Sequence, residues 1–282
     1  MDLQERTFVI TGANSGLGAV TARAIADAGG QVIMACRDVE KANTVAADIG
    51  TRAQVRHLDL GDLASVREFA ASLGDVDTLI NNAGVMAVPK CCTVDGFESQ
   101  IGINHLGHFA LTGLLIERIR DRVVTMSSGL HVLGSIDLDD LNWEQRRYRR
   151  MRAYGASKLA NLLFAYELQR RLTLAGSRVL SVAAHPGYAA TNLQGHTESF
   201  LDPIMLFTKG FAQSAQMGAL SEIYAATGPV ESGGYYGPKR LHGYPRRVQS
   251  SAKSRDPEMA AKLWELSEKL TGVSYPNLRS LT

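Results

Sequence analysis

The chain has 282 residues, 45% of them hydrophobic and 21% charged, the make-up of a globular protein with material for a sizeable core rather than of a disordered segment. A formal net charge of +2 is too small to leave the electrostatic footprint of a nucleic-acid-binding protein. No window reaches the roughly eighteen consecutive apolar residues of a membrane span, and a strand pattern beginning at Thr7 leaves no room for a signal peptide, so the expectation is one domain, residues 1–282, in the cytoplasm.

The first element is the strand Thr7-Phe8-Val9-Ile10, which runs straight into Thr11-Gly12-Ala13-Asn14-Ser15-Gly16-Leu17-Gly18 and then a helix pattern to about Ala28. Glycines let the backbone turn sharply and approach a pyrophosphate, while the free N–H groups of a helix start attract phosphate. The spacing departs from the Gly-x-Gly-x-x-Gly fingerprint, so the order strand, loop, helix carries the prediction of a dinucleotide site. A second strand, Gln31–Ala35, ends at Cys36-Arg37. An acidic residue there would take the ribose hydroxyls of NAD, whereas the planar fork of Arg37 suits the 2′-phosphate of NADP. NADP (NADPH) is therefore expected ahead of NAD, against the alternative of a surface Arg37 paired with Asp38 or Glu40.

A third strand, Gln54–Leu58, precedes Asp59 and Leu60, and the helix Asp62–Leu73 follows, with Asp62 as N-cap and Leu63, Val66, Phe69, Ala70 and Leu73 on one stripe. The fourth strand, Val76–Ile80, leads into Asn81-Asn82-Ala83-Gly84. Cys91 and Cys92 are adjacent and, with Cys36, make an odd count; no Cys-x-x-Cys spacing or matching histidine cluster supports a metal, and free thiols in a reducing compartment are expected. Asn104 sits in a long helical pattern, where a polar side chain is disfavoured unless it has a partner or meets solvent.

The fifth strand, Arg122–Met126, delivers Ser127 and Ser128 to the edge of the sheet. The 25 residues between Ser128 and Tyr154 end in five arginines within seven positions, Arg146, Arg147, Arg149, Arg150 and Arg152. Either they draw an anionic substrate or acyl-carrier partner by long-range attraction, or they form a solvated helix start paired with Asp137, Asp139, Asp140 and Glu144, the reading preferred here. Tyr154-Gly-Ala-Ser-Lys158 then sets a phenol and an ammonium one helical turn apart. A phenol of pKa ~10 is a poor base near neutrality unless a positive charge stabilises its phenolate, and Lys158 can supply one. The strand Arg178–Ala184 ends in His185-Pro186-Gly187. Tyr188–Gly210 mixes polar residues with Leu193, Phe200, Leu201 and Ile204; the helices Gln213–Ala226 and Pro257–Leu270 flank the turn-rich Gly228–Gly243, read as structural. The alternation predicts an α/β protein: a single doubly wound Rossmann-type parallel sheet with helices on both faces, its ligands at the carboxyl ends of the strands.

With Thr11–Gly18, Asn81–Gly84 and Tyr154–Lys158 in place, the sequence resembles the short-chain dehydrogenase/reductase family over nearly its whole length. Ala35–Asp38, Asn104–Phe109 and Tyr154–Asn161 look most like its retinol-dehydrogenase and protochlorophyllide-reductase branch, although the N-terminal membrane anchor of several animal members is not expected here. The resemblance implies a catalytic set of Asn104, Ser128, Tyr154 and Lys158, with Ser128 preferred to Ser127 and Asn104 organising a proton relay. It implies cofactor contacts from the glycine loop (Gly12, Asn14, Ser15, Gly16, Leu17, Gly18), Arg37, Asp59, Leu60, Asn82, Ala83, Gly84, Tyr154, Lys158, Pro186, Gly187 and Thr191, and a substrate lid over 188–210. Ser15 stands where many NADP-using relatives carry a basic residue, and Asp59 could equally hold a turn. His105, His108 and His185 are read as structural, with no metal. The implied activity interconverts a small-molecule alcohol and carbonyl, in a chain for which a homo-oligomer is possible. The competing class is a non-catalytic NADP(H)-binding sensor on the same fold.

Overall fold

A computed structural model describes residues 2–187, 215–239 and 243–278. Its strands are β1 (Thr7–Thr11), β2 (Gln31–Cys36), β3 (Ala53–His57), β4 (Val76–Asn81), β5 (Ile119–Met126), β6 (Leu180–Ala184), β7 (Tyr235–Gly237) and β8 (Arg246–Arg247). They form one sheet in the order β3-β2-β1-β4-β5-β6-β7-β8, parallel throughout except for β8 against β7. The helices are α1 (Gly16–Asp27), α2 (Val39–Ile49), α3 (Leu63–Ala71), α4 (Ser99–Ile101), α5 (Gly107–Leu115), α6 (Arg150–Leu174), α7 (Ala215–Thr227) and α8 (Pro257–Thr271). This is the doubly wound Rossmann-type architecture that the alternation predicted.

Neighbouring residues of a strand face opposite sides of a sheet, and both sides are apolar here. Val9, Leu79 and Val123 enter one core with Phe109, Phe164 and Trp264. Phe8, Ile10, Ile80 and Val124 enter the other with Ile25 of α1 and Ala225 of α7. A strand buried on both faces has no polar alternation, which is why these segments read as continuous apolar runs. Asp62 caps α3 as expected, accepting from the N–H groups of Ala64 and Ser65, and Val66, Phe69, Ala70 and Leu73 are buried.

Two regions differ from the sequence reading. The glycine-rich stretch around 233–238 contains β7, whose Tyr235 and Tyr236 pair with Ala183 and Ala184 and are buried in different cores. Three residues are too few to show a period; the pairing with β6 makes the strand. The helix around Asn104 is not continuous either: between α4 and α5, Gly102–Leu106 forms a π-helical turn in which the Gly107 N–H reaches the Gly102 carbonyl, a widening found frequently at functional sites. The segment read as a lid, 188–210, and Thr191 with it, lie outside the described residues.

The order reverses at β1, whose neighbours are β2 and β4. The carboxyl ends of β1, β4, β5 and β6 deliver the glycine loop, Asn82–Gly84, Ser127-Ser128 and His185–Gly187 to one edge of the sheet, where open α/β sheets bind their ligands.

Candidate active site

Thr11, the last residue of β1, organises the end of the sheet where the glycine loop lies. Its Oγ1 accepts the N–H groups of Asn82 and Ala83, each at 2.9 Å, and lies 2.8 Å from His108 Nε2. Asn82 Nδ2 donates to the Thr11 carbonyl at 2.7 Å, and the Gly12 N–H donates to the Ala35 carbonyl at 2.8 Å. The glycine loop is thereby tied to both strands beside it. It closes so tightly that a Cβ on Gly18 would stand 2.7 Å from the Gly12 carbonyl oxygen and 2.5 Å from Asn82 Nδ2. Ser15, extended at the N-cap of α1, makes no side-chain cap bond, so its hydroxyl does not compete for the first-turn N–H groups.

Arg37 is exposed just past β2 and has no ion-pair partner among the described residues. Asp38 instead caps α2, accepting from the Lys41 N–H at 3.0 Å, so the pairing weighed against a cofactor role is not formed. A side-chain-uncapped helix start, a loop with room only for glycine and an unpaired guanidinium at the end of β2 fit a dinucleotide. Asp59 Oδ1 accepts the Gly61 N–H at 2.8 Å, the turn role, and Leu60 is buried against Gly107.

The reaction end draws on separate segments. Tyr154 and Lys158 share one face of α6 and are both buried. The Ser128 side chain stands near enough to the Tyr154 hydroxyl to lower its pKa, and Ser128 Oγ accepts the Leu130 N–H at 3.2 Å. Ser127 turns away, its hydroxyl donating to the Lys158 carbonyl at 2.8 Å; of the two serines, Ser128 meets the tyrosine. Lys158 Nζ donates to the Met126 carbonyl at 3.1 Å and flanks Gly84, where a Cβ would lie 3.3 Å from it and 3.0 Å from Asn104 Oδ1. The Asn104 amide accepts from the Val85 N–H at 2.8 Å and donates to the Val85 carbonyl and to Ser157 Oγ, both at 2.9 Å. Its side chain therefore fixes the backbone after Gly84, and its carbonyl oxygen lies 3.0 Å from His108 Nδ1.

The electrostatics differ from the sequence reading in one respect. Burial pushes the Tyr154 phenol up to about 12, and the group pulling it down is Ser128; Lys158 Nζ stands 5.9 Å from the centre of the Tyr154 ring and is itself lowered by burial to about 8. A phenol this high is protonated near neutrality.

Gly187, with φ +72°, donates its N–H to His185 Nδ1 at 3.2 Å and, with Pro186, follows β6. In the arginine-rich segment, Arg146 is an ion-pair partner of Asp140 at 3.2 Å and lies 3.8 Å over the Trp143 ring. Arg147, Arg149 and Arg152 are exposed and make no ion pair among the described residues. Met151 packs with Met86, Ala87 and Leu130 around Tyr154. Among the described residues no group of His, Cys, Asp or Glu side chains could hold a metal ion, all three cysteines are free, and no helix is long and apolar enough to cross a membrane. Thr11 and His108 escaped the sequence reading as polar links; a threonine ending a buried strand and a histidine four residues after Asn104 were the available signals.

The family model for short chain dehydrogenases matches residues 6–201. The chain belongs to the short-chain dehydrogenase family. It is accordingly an NAD(P)-dependent oxidoreductase acting on CH–OH groups. Among short-chain dehydrogenases it is 41% identical to human retinol dehydrogenase 13 over 97% of this chain and 87% of that protein, and 40% identical to human retinol dehydrogenase 12 over 98% and 89%. A crystal structure of an uncharacterised protein from Mycobacterium paratuberculosis is 51% identical, with a TM-score of 0.87 over 98% of this chain and 96% of that one. A short-chain dehydrogenase from Burkholderia cenocepacia J2315, solved in complex with NADP, shares the fold with a TM-score of 0.66 at 22% identity over 84% of this chain and 97% of that one.

Proposed function

We propose that the protein is an NADP(H)-dependent oxidoreductase that interconverts an alcohol and a carbonyl on a hydrophobic substrate, with Tyr154 as acid and base. The observation that carries this reading is the burial of Tyr154 and Lys158 on one face of α6, with Ser128 beside the tyrosine, at the sheet edge that holds the glycine loop. The nicotinamide, when bound, supplies or accepts the hydride. Ser128 and Tyr154 supply two neighbouring hydroxyl donors for the substrate oxygen, where negative charge builds during reduction, so they favour the transition state over the ground state. Tyr154 gives its proton in reduction and takes one in oxidation. Lys158 places a cation beside Gly84, and Asn104 holds the Val85 backbone that forms the neighbouring wall. The unpaired Arg37 supports NADP over NAD. Apolar Met86, Leu130 and Met151 around Tyr154, with the names of the retinol dehydrogenase relatives, support a hydrophobic substrate.

Fluorescence titration with NADPH and NADH, followed by a panel of aldehydes and ketones from short aliphatic to retinoid and steroid, tests the reading. NADPH should bind selectively and be oxidised only with a carbonyl present. Tyr154→Phe should lower turnover by roughly 10²–10⁴-fold with cofactor affinity retained, and Arg37→Ala should weaken NADPH far more than NADH. Cofactor binding without turnover of any carbonyl, and a Tyr154→Phe protein indistinguishable from wild type, would favour the non-catalytic sensor.

A further inference from the structure

We infer that His131 is a positioning residue for Ser128, holding the serine in place through a hydrogen-bonded line that ends on the backbone of Ser251; the inference rests on the role proposed above for Ser128.

Ser128 is both the last residue before a 3₁₀ turn, Gly129–Leu133, and its N-cap. Its Oγ accepts the Leu130 N–H, which occupies one lone pair and directs the hydroxyl hydrogen away from the turn. Its carbonyl receives two bonds from His131, one from the backbone N–H at 3.0 Å and one from ring Nδ1 at 2.7 Å. At the far side of the ring, Nε2 accepts the Ser251 N–H at 3.1 Å. A carbonyl can only accept and a backbone N–H can only donate, so one neutral tautomer satisfies both ends, with the hydrogen on Nδ1 and the lone pair on Nε2. Protonation would set two N–H donors against each other at Ser251, and burial opposes it further by lowering the imidazole pKa.

The rest of the turn is clamped as well. A Cβ on Gly134 would overlap the Gly155 carbonyl, and a Cβ on Gly155 would stand 2.8 Å from the Leu130 carbonyl oxygen, so the turn lies directly on the α6 backbone next to Tyr154. The titratable groups around His131 are Tyr235, edge-on at 6.1 Å, His185, whose ring lies 5.1 Å from that of Tyr235, and Lys253, whose Nζ donates to the Gly134 carbonyl at 3.4 Å. None of these can replace either bond to the ring. The Ser128 carbonyl is thus held by His131, whose ring is held in turn by the segment following β8, while the turn after Ser128 lies on α6.

The test compares His131→Leu, His131→Gln, Ser251→Pro and the double variant His131→Leu/Ser251→Pro with Ser128→Ala, using NADPH and the fastest carbonyl of the panel above. Ser251 has φ −62°, which a proline ring accepts, so Ser251→Pro deletes the N–H at the far end of the line without touching the site. We expect His131→Leu to lower kcat roughly 10–100-fold with NADPH affinity within about twofold of wild type, His131→Gln to recover part of the loss, and the double variant to be no worse than His131→Leu. Ser251→Pro should bring in a new acid limb in the pH profile of kcat, because the freed Nε2 can take a proton. Imidazole ¹⁵N shifts of the wild type near pH 7 should report the Nδ1–H tautomer without any substrate. Full kcat in His131→Leu alongside an inactive Ser128→Ala, additive losses in the double variant, or an Nε2–H tautomer would each overturn the inference. Were His131→Leu not to fold, the profile of Ser251→Pro decides, and an unshifted acid limb overturns the inference. Activity retained in Ser128→Ala would instead sink the reading of the site itself, and this inference with it.

Discussion

The nucleotide end of the proposed site is fixed by backbone groups and by residues at the tips of adjacent strands, Thr11, Gly12, Asn82 and Ala83, whereas the proposed reaction end takes side chains from the turn after β5, the π turn and α6, and a backbone N–H from the segment after β8. One consequence is a difference in how each end fails. The first tolerates little because it has no spare volume; the second depends on registers set by packing between elements distant in sequence, and a small displacement there costs rate more than binding.

Four changes probe that contrast. Gly18→Ala should have the largest effect, weakening NADPH by about 10–100-fold, because the added methyl meets a backbone carbonyl that cannot move aside; affinity within threefold by fluorescence titration would show that the loop has slack. Gly155→Ala pushes instead on the Ser128 turn, and kcat should fall roughly 10-fold while NADPH affinity holds. If both parameters fell together, the two ends would not be separable.

Glu222 of α7 is the exception on the nucleotide side, a fully buried carboxyl whose two oxygens have no hydrogen-bond partner among the described residues. Burial raises its pKa from 4.5 to about 8. Between those values the folded protein keeps a proton that the unfolded chain releases, so stability falls as pH rises through that window. Glu222→Gln should remove the slope and add on the order of 2–3 kcal/mol near pH 7, read from denaturant unfolding at about pH 5 and pH 7.5; an unchanged slope would mean that the carboxyl is paired. The smallest effect is expected at the rim of the reaction end, where changing Arg147, Arg149 and Arg152 together to Gln should lower kcat/KM for an anionic carbonyl about two- to threefold at low salt and leave it unaltered at high salt. No change at low salt would leave these arginines as a solvated helix start.

Much of the nucleotide end was legible in the sequence because its constraints are local. Thr11–Gly18 must turn and pack in a few residues, and glycine is the visible mark of that. Tyr154 and Lys158 were legible for a similar reason, sharing a helix face at a spacing of four. The choice between Ser127 and Ser128 was not physical until the structure turned one toward the Lys158 carbonyl and the other toward Tyr154. His131 could not be found at all, since its second partner lies 120 residues away and is a backbone N–H that carries no side-chain signature. The short strand β7 and the π turn were missed for the same cause: each is made by its neighbours, β6 in one case and the α4–α5 junction in the other, rather than by its own pattern. Lys158 was legible as a cation near the phenol, but the burial that raises the Tyr154 pKa was not.

Finally, the aromatic core beneath α5 carries a timing consequence. Phe109 packs against Trp264 and Tyr275, and the Tyr275 hydroxyl donates to the Phe109 carbonyl across 166 residues of sequence. At synthesis rates of about 5–20 residues per second, that partner emerges from the ribosome roughly 8–33 s after Phe109 does. During that interval the sheet can assemble through β6 while the outer side of α5 and the Phe164 face of α6 stay wet and adhesive. The nascent chain therefore has a defined period in which a chaperone holding that aromatic surface would matter most, and it closes when α8 docks.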